Sequence, residues 1–265
     1  MSQFSQRLIF GEKDVLLQDS EGRQIKTFQK LDFRISGGRY RVMESLLGKI
    51  SGKLLIEINV PIEVEVTFEA QINANVKGAI AHANKPGAIA CATASGAKAY
   101  SNANGAEAHA DAEGAIAYAT TSGAIARATA SGAIAHTYAR GAKAYADAPG
   151  ALAYAYAPGA LAYAYAPGAE AYANARGALA YAVADGAIAH ANELGAEAHA
   201  DAPGAIAYAK VPGAFAYADA PGAKAYATAP GAKAYANFPG AEAHANAPGA
   251  EAHADAPGAF AYANA

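Results

Sequence analysis

From Gly78 onward, small apolar and variable residues alternate without a slip. Alanine stands at the second, fourth and sixth positions of a nine-residue unit, G-A-x-A-x-A-x-A-P, whose glycine recurs 21 times up to Gly258 with no insertion or deletion. Among those 63 alanine positions only Ser101 and Thr137 depart. A helix is excluded, because an interior glycine costs about 1 kcal/mol and an interior proline about 3. Strict alternation is the signature of a strand. The A-P-G-A junction suits a type II turn, with proline fixing φ at its second residue and glycine supplying positive φ at its third. Each unit is therefore predicted to be a short strand followed by a tight corner.

Alternate residues of a strand share one face, so the alanines make a uniform small face and the intervening residues a mixed one. The uniform face is assigned to the interior. The eighth position admits Lys85, Glu193 and Phe238 and is assigned to an exposed corner. The predicted fold is all-β: an N-terminal β domain over 1–77 and a thin alanine-cored β-solenoid of 21 units over 78–265. Two units would close an 18-residue coil of two facing sheets, and three would close a triangular 27-residue coil. A side of seven residues spans roughly 23 Å, and a triangle that wide leaves a void that alanine cannot fill. The two-stranded coil is preferred, giving 10.5 coils over about 50 Å. His82, His109 and His136, spaced by 27 residues, point the other way.

Residues 1–77 hold most of the larger core formers. "VLLQDSEGRQIKTF" and "LDFRISGGRYRVME" read as hairpins with turns at Ser20–Gly22 and Gly37–Gly38. Between Leu54 and Val76 every even-numbered residue is apolar, an alternation too long for one strand. A bend near Pro61 is expected. The apolar residues shrink toward alanine, so 54–77 reads as a transition strand that templates the first coil, with oligomerisation as the alternative.

Composition narrows the chemistry. The chain has 265 residues, a net charge of −3 and one cysteine, Cys91, so no internal disulfide forms. No Sec-type leader is read in "MSQFSQRLIFGEKDV", and no apolar run spans a membrane. A virion or cytoplasmic location is expected. The repeats carry a small acidic excess, which argues against nucleic acid. No nucleophile elbow, phosphate loop or H-E-x-x-H motif occurs, and no enzymatic activity is expected. Cys91 reads as an incidental outward residue without a base. Three strands repeat Glu-Ala-His-Ala-Asp: Glu107–Asp111, Glu197–Asp201 and Glu251–Asp255. With no second histidine one coil away, they read as solvated polar surface. No cofactor, no metal and no calcium requirement is expected.

Tyrosine or histidine fills the fifth position in 19 of 21 units, Cys91 and Arg127 being the exceptions. In a solenoid these residues stack into ladders. The candidate binding face comprises Tyr154, Tyr163, Tyr172, Tyr181, Tyr208, Tyr217, Tyr226 and Tyr235. At the third position Ile116, Ile125, Ile134, Leu152, Leu161 and Leu179 form a candidate apolar patch for a partner or for self-association. The chain stops inside a repeat, "PGAFAYANA", and the edge of that coil is expected to be covered by association or by a partner on residues 249–265.

The nonapeptide period resembles the calcium-binding β-rolls of secreted RTX proteins. Their G-G-x-G-x-D-x-U-x pattern is not met, since the core positions are alanine and no aspartate recurs in the turn, so calcium is not carried over. "GAIAYATTSGAIARATASGAIAH" resembles the heads of trimeric autotransporter adhesins, whose signal, stalk and anchor are not seen. The function expected is a non-enzymatic rod or spike that docks through its N-terminal domain on a larger assembly, such as a phage virion or an appendage. The alternatives are a free surface binder of adhesin type, for glycan or ice, and a soluble inhibitor acting by shape.

Overall fold

The computed structural model describes residues 4–35, 38–48 and 53–264. The chain forms a small N-terminal β region and a β-solenoid of about 12 turns of about 18 residues, two strands to a turn. Successive repeat strands alternate between two parallel sheets, one of 15 strands (the long sheet) and one of 13 (the short sheet). Each repeat strand pairs with the strand 18 residues on: Ala162 lies beside Ala180, and Ala153 beside Ala171. This register rules out the 27-residue coil.

The corners follow from local chemistry. In each repeat the glycine has positive φ, between 67° and 81°. The following alanine closes the turn by donating to the residue three back, as in Ala151 N to Ala148 O at 3.0 Å. Proline at the second turn position and glycine at the third make this the expected type II geometry. Many glycine N–H groups also donate to the glycine carbonyl of the next coil, as Gly159 does to Gly177 at 3.1 Å. The corners are therefore laddered like the strands.

The alanine face is inside, and Ala162, Ala180 and their equivalents have no exposed surface. The two exceptions in the pattern show how thin the interior is. Ser101, fully buried on the short sheet, donates to the carbonyl of Ile125 on the long sheet at 3.3 Å and to that of Tyr118 at 3.1 Å. A serine on one sheet thus reaches the backbone of the other. Thr137 is likewise buried and donates to Tyr154 O at 3.1 Å. Hydroxyls are tolerated here because backbone acceptors lie within one side chain's reach. The eighth position differs from expectation. Lys85 and Phe238 are exposed, but Ala148, Ala157, Ala166 and Ala202 are buried, because alanine there tucks under the corner.

The N-terminal region joins the same sheets. β1 (Gln6–Phe10), β2 (Asp14–Asp19) and β3 (Gln24–Gln29) form an antiparallel meander at one end of the long sheet, so the first hairpin is as predicted. The second hairpin does not form. Lys30–Phe33 winds into a 3-10 turn that buries Phe33 edge-on against Phe10 and Phe28, both at 5.3 Å. One isolated bridge, Arg34 to Tyr40, is all that remains of the pairing, and β4 (Tyr40–Val42) joins the short sheet in parallel. Gly38 has positive φ, while Gly37 lies outside the described residues. The helical turn α1 (Glu44–Leu47) follows.

The transition segment breaks into three strands, β5 (Leu54–Ile58), β6 (Glu63–Val66) and β7 (Gln71–Ala74), with the first bend at Pro61 as expected. These strands are already solenoid: β5 pairs in parallel with β1, β6 with β4, and both sheets run through Gly78 without interruption. Leu55 pairs with Gln71, 16 residues on, Glu63 with Ile80, 17 on, and Gln71 with Ile89, 18 on. The coil lengthens as its core residues shrink from Ile56, Ile58 and Val64 to alanine. The boundary at residue 78 is therefore a change of core residue within one continuous pair of sheets.

Replacing Ala162 with Leu should overpack this interior and cost about 1–3 kcal/mol or more. Replacing the outward Leu161 with Ala should change stability by about 0.5 kcal/mol or less. Denaturant melts of the two variants would check the ranking, and the reverse order would mean that the two faces have been exchanged.

Candidate binding faces

A parallel, in-register solenoid places each outward side chain beside the equivalent one in the next coil, about 4.8 Å away. That spacing suits aromatic stacking, whose offset geometry brings centroids 4.5–7 Å apart. On the short sheet the fifth-position rings from His82 to Tyr262 form one unbroken stack of 11, with neighbouring centroids 4.5 to 5.3 Å apart. On the long sheet seven rings run from Tyr145 to His253 at 4.7–5.2 Å. The Arg127 guanidinium lies over Tyr145 at 4.5 Å and continues this row.

The eight tyrosines named from sequence thus belong to two opposite faces. Tyr154, Tyr172, Tyr208 and Tyr226 are on the short sheet, and Tyr163, Tyr181, Tyr217 and Tyr235 on the long one. The apolar patch divides in the same way. Ile116, Ile134 and Leu152 are consecutive on the short sheet. Ile125, Leu161 and Leu179 lie on the long sheet, with Lys143 between Ile125 and Leu161. All six are half-buried.

Histidine placement has a period that the sequence spacing of 27 concealed. On the short sheet His82, His136, His190 and His244 recur every 54 residues, three coils apart, giving two tyrosines after each histidine. His109 belongs to the other sheet. Burial in the stack lowers the imidazoles of His136 and His190 to about 4, and their Nδ1 atoms have no hydrogen-bond partner. Burial likewise raises the hydroxyls of Tyr100, Tyr163 and Tyr217 to about 12. The rows are neutral over the physiological range.

The two faces differ in charge at the seventh position. The long sheet carries Asp111, Asp147, Asp201, Asp219 and Asp255 there, whereas the short sheet has asparagine, threonine, tyrosine or lysine and no acid. Asparagines one coil apart join side chain to side chain, as Asn192 does to Asn174 and Asn102 to Asn84, both at 2.8 Å. Cys91, read as an exposed outward residue, is buried between its neighbours in the row, and burial beside Asp111 pushes its thiol well above the usual range.

One of the three Glu-Ala-His-Ala-Asp strands acquires a partner from the next coil. His199 Nδ1 lies 3.1 Å from Asp219 Oδ2, and its Nε2 lies 3.3 Å from Glu197 Oε2. Burial alone would lower this imidazole, but the hydrogen bonds and charges of Asp219, Glu197 and Asp201 outweigh it and raise it. Burial and the Asp219 charge raise Asp201 despite His199. Asp219 went unnoticed in the sequence because a histidine, not an aspartate, was sought one coil away. The 18-residue interval from Asp201 to Asp219 was the available signal.

Elsewhere, the one cleft with appreciable volume is lined by Phe4, Lys53, Leu54, Glu69, Gln71 and Ile89 among others, without histidine, serine or cysteine. Among the described residues, no helix is long and apolar enough to cross a membrane. No protein-family profile, curated protein or solved structure matches the chain.

The buried histidines give the fold a pH dependence. An unfolded histidine titrates near 6.5, and His136 and His190 near 4 when folded. Between those values the unfolded chain binds more protons, so stability held above pH 6.5 declines as the pH falls toward 4. The melting temperature should drop by several degrees over this window. The double variant His136→Tyr, His190→Tyr preserves the stack and should flatten the drop. An unchanged pH slope in that variant would show that these imidazoles do not carry it.

Proposed function

We propose that the chain is a non-enzymatic rod, docked through its N-terminal region on a larger assembly such as a virion or surface appendage, with the solenoid projecting its Tyr/His rows. The observation that carries this reading is the uninterrupted register, in which about 12 coils repeat without a bulge or an inserted loop. A stack hydrogen-bonded along every strand and corner is stiff. It has no loop excursion in which convergent catalytic groups could be assembled.

The N-terminal region offers a surface for docking. Ile25, Leu31 and Met43 are exposed there, at 52%, 67% and 42%. Exposed apolar side chains grouped in one region mark interaction sites. The uncharged seventh-position row of the short sheet favours that face for contact, leaving the acidic long sheet to solvent. The stacking also weighs against a platform for sugar rings. Each aromatic face is covered by its neighbour, so the rows present ring edges and hydroxyls.

Sedimentation of extracts from the source cells tests the proposal. The full chain should travel with a large particle. Ile25→Asp with Leu31→Asp should release it, while Tyr172→His, which keeps the stack, should not. A chain that sediments as a free monomer in every extract would refute docking.

A further inference from the structure

We propose that His199, Asp201 and Asp219 form a binding site for a divalent transition-metal ion of the Zn2+ type, with Glu197 orienting the imidazole. The fold itself brings the three ligands together. His199 and Asp201 are two residues apart across the end of the strand Glu197–Ala200, and Asp219 follows the adjacent strand Phe215–Ala218 in register. One ligand atom from each lies within 4.8 Å of the other two, the only such group among the described residues. Two ligand atoms each about 2.1 Å from one ion are at most about 4.2 Å apart. A small rotation of the exposed Asp201 side chain closes that difference.

The row itself shows why this place is unlike the others. Identical charges directly opposite each other on neighbouring strands are destabilising, and the seventh-position row of the long sheet otherwise avoids them. Asp111 accepts from Thr129 at 2.6 Å, Asp147 from Arg127 at 3.1 Å, and Asp219 from Asn237 at 2.8 Å on its far side. Asp201 and Asp219 are the one pair of acids in successive coils of that row. The Asp201 carboxylate receives no hydrogen bond, and among the described residues no lysine or arginine pairs with Glu197, Asp201 or Asp219. Three carboxylates therefore surround one imidazole with no fixed cation.

The donor set selects the ion. Imidazole nitrogen with carboxylate oxygen suits Zn2+ and its neighbours, whereas Ca2+ takes oxygen ligands alone. Glu197 Oε2 faces Nε2, leaving Nδ1 toward Asp219. A carboxylate holding the remote ring N–H is the usual support for a metal-bound histidine. Three protein ligands at a half-exposed surface leave a fourth position for water or for a group from a partner.

The chain contains its own controls. Glu107-Ala-His109-Ala-Asp111 has Thr129 one coil on where this site has Asp219, and Glu251-Ala-His253-Ala-Asp255 has no following described strand on its sheet. Titration of the full chain with ZnCl2 by calorimetry, and with Co2+ by visible absorption, should show one tight site. Asp219→Asn and His199→Tyr should each weaken it at least tenfold. Both variants introduce residues that the same rows already use, as at Asn237 and Tyr217, and circular dichroism would verify their fold. His109→Tyr and His253→Tyr should leave the binding unchanged. Absence of binding by the wild-type chain, several equivalent sites, or undiminished binding by folded Asp219→Asn would overturn the assignment.

Discussion

Everything in this molecule depends on the contact between two sheets of alanine. Ser101 on one sheet hydrogen-bonds a carbonyl on the other, so the interior is about one small side chain deep. Alanine loses no rotamer entropy on burial, and its faces meet without voids only when both sheets lie close and flat. That condition fixes two strands per coil. It also forbids growth at any core position, since no space remains for a larger residue to occupy. The two hydroxyls that enter the core do so because a thin core keeps backbone acceptors near.

Once the coil holds 18 residues, the outer surface ceases to be a set of independent side chains. Each residue has the one 18 positions before it and the one 18 after it as neighbours. Aromatic residues therefore meet face to face, amides join end to end, and charges meet charges. The third-position rows show the adjustment this requires. Lys224 pairs with Glu242 at 3.0 Å and Lys233 with Glu251 at 2.8 Å, opposite signs one coil apart. The seventh-position acids of the long sheet are mostly interleaved with threonine, arginine and asparagine contacts for the same reason. Identical register makes complementarity along the axis a condition of stability, not a refinement of it.

The fold was legible in the sequence because its three signals were periodic and agreed. Alternation gave the strand, glycine with proline gave the corner, and alanine volume gave the coil. Legibility ended where a residue's environment depends on a neighbour that the local pattern does not contain. Phe33 leaves the expected second hairpin because the ring cluster with Phe10 and Phe28 claims it. Cys91 looks exposed by alternation but is covered by the residues stacked on either side. The histidines at 82, 109 and 136 suggested a third strand per coil, yet His109 points from the opposite sheet. The candidate patches were drawn along the chain and so mixed two faces. Asp219 could have been found only by reading the sequence in columns of 18.

Reading by columns also changes what counts as a functional unit. In a globular enzyme a site converges from several elements of different orientation. Here the elements are parallel copies, and any feature confined to one repeat is diluted by its neighbours unless the column breaks its own rule. Two kinds of information remain available to such a chain. A row can be kept uniform, as in the 11-ring stack on the short sheet, which supports recognition spread over many coils. Or a row can be interrupted at one place, as where Asp201 meets Asp219, which supports a discrete event at a fixed height on the rod. The asymmetry between an acidic face and a neutral one has the same origin, because assigning Asp to one column and Asn to the other requires only that odd and even repeats differ. A solenoid this plain can thus carry position along its axis and identity across its faces with no departure from its nine-residue grammar.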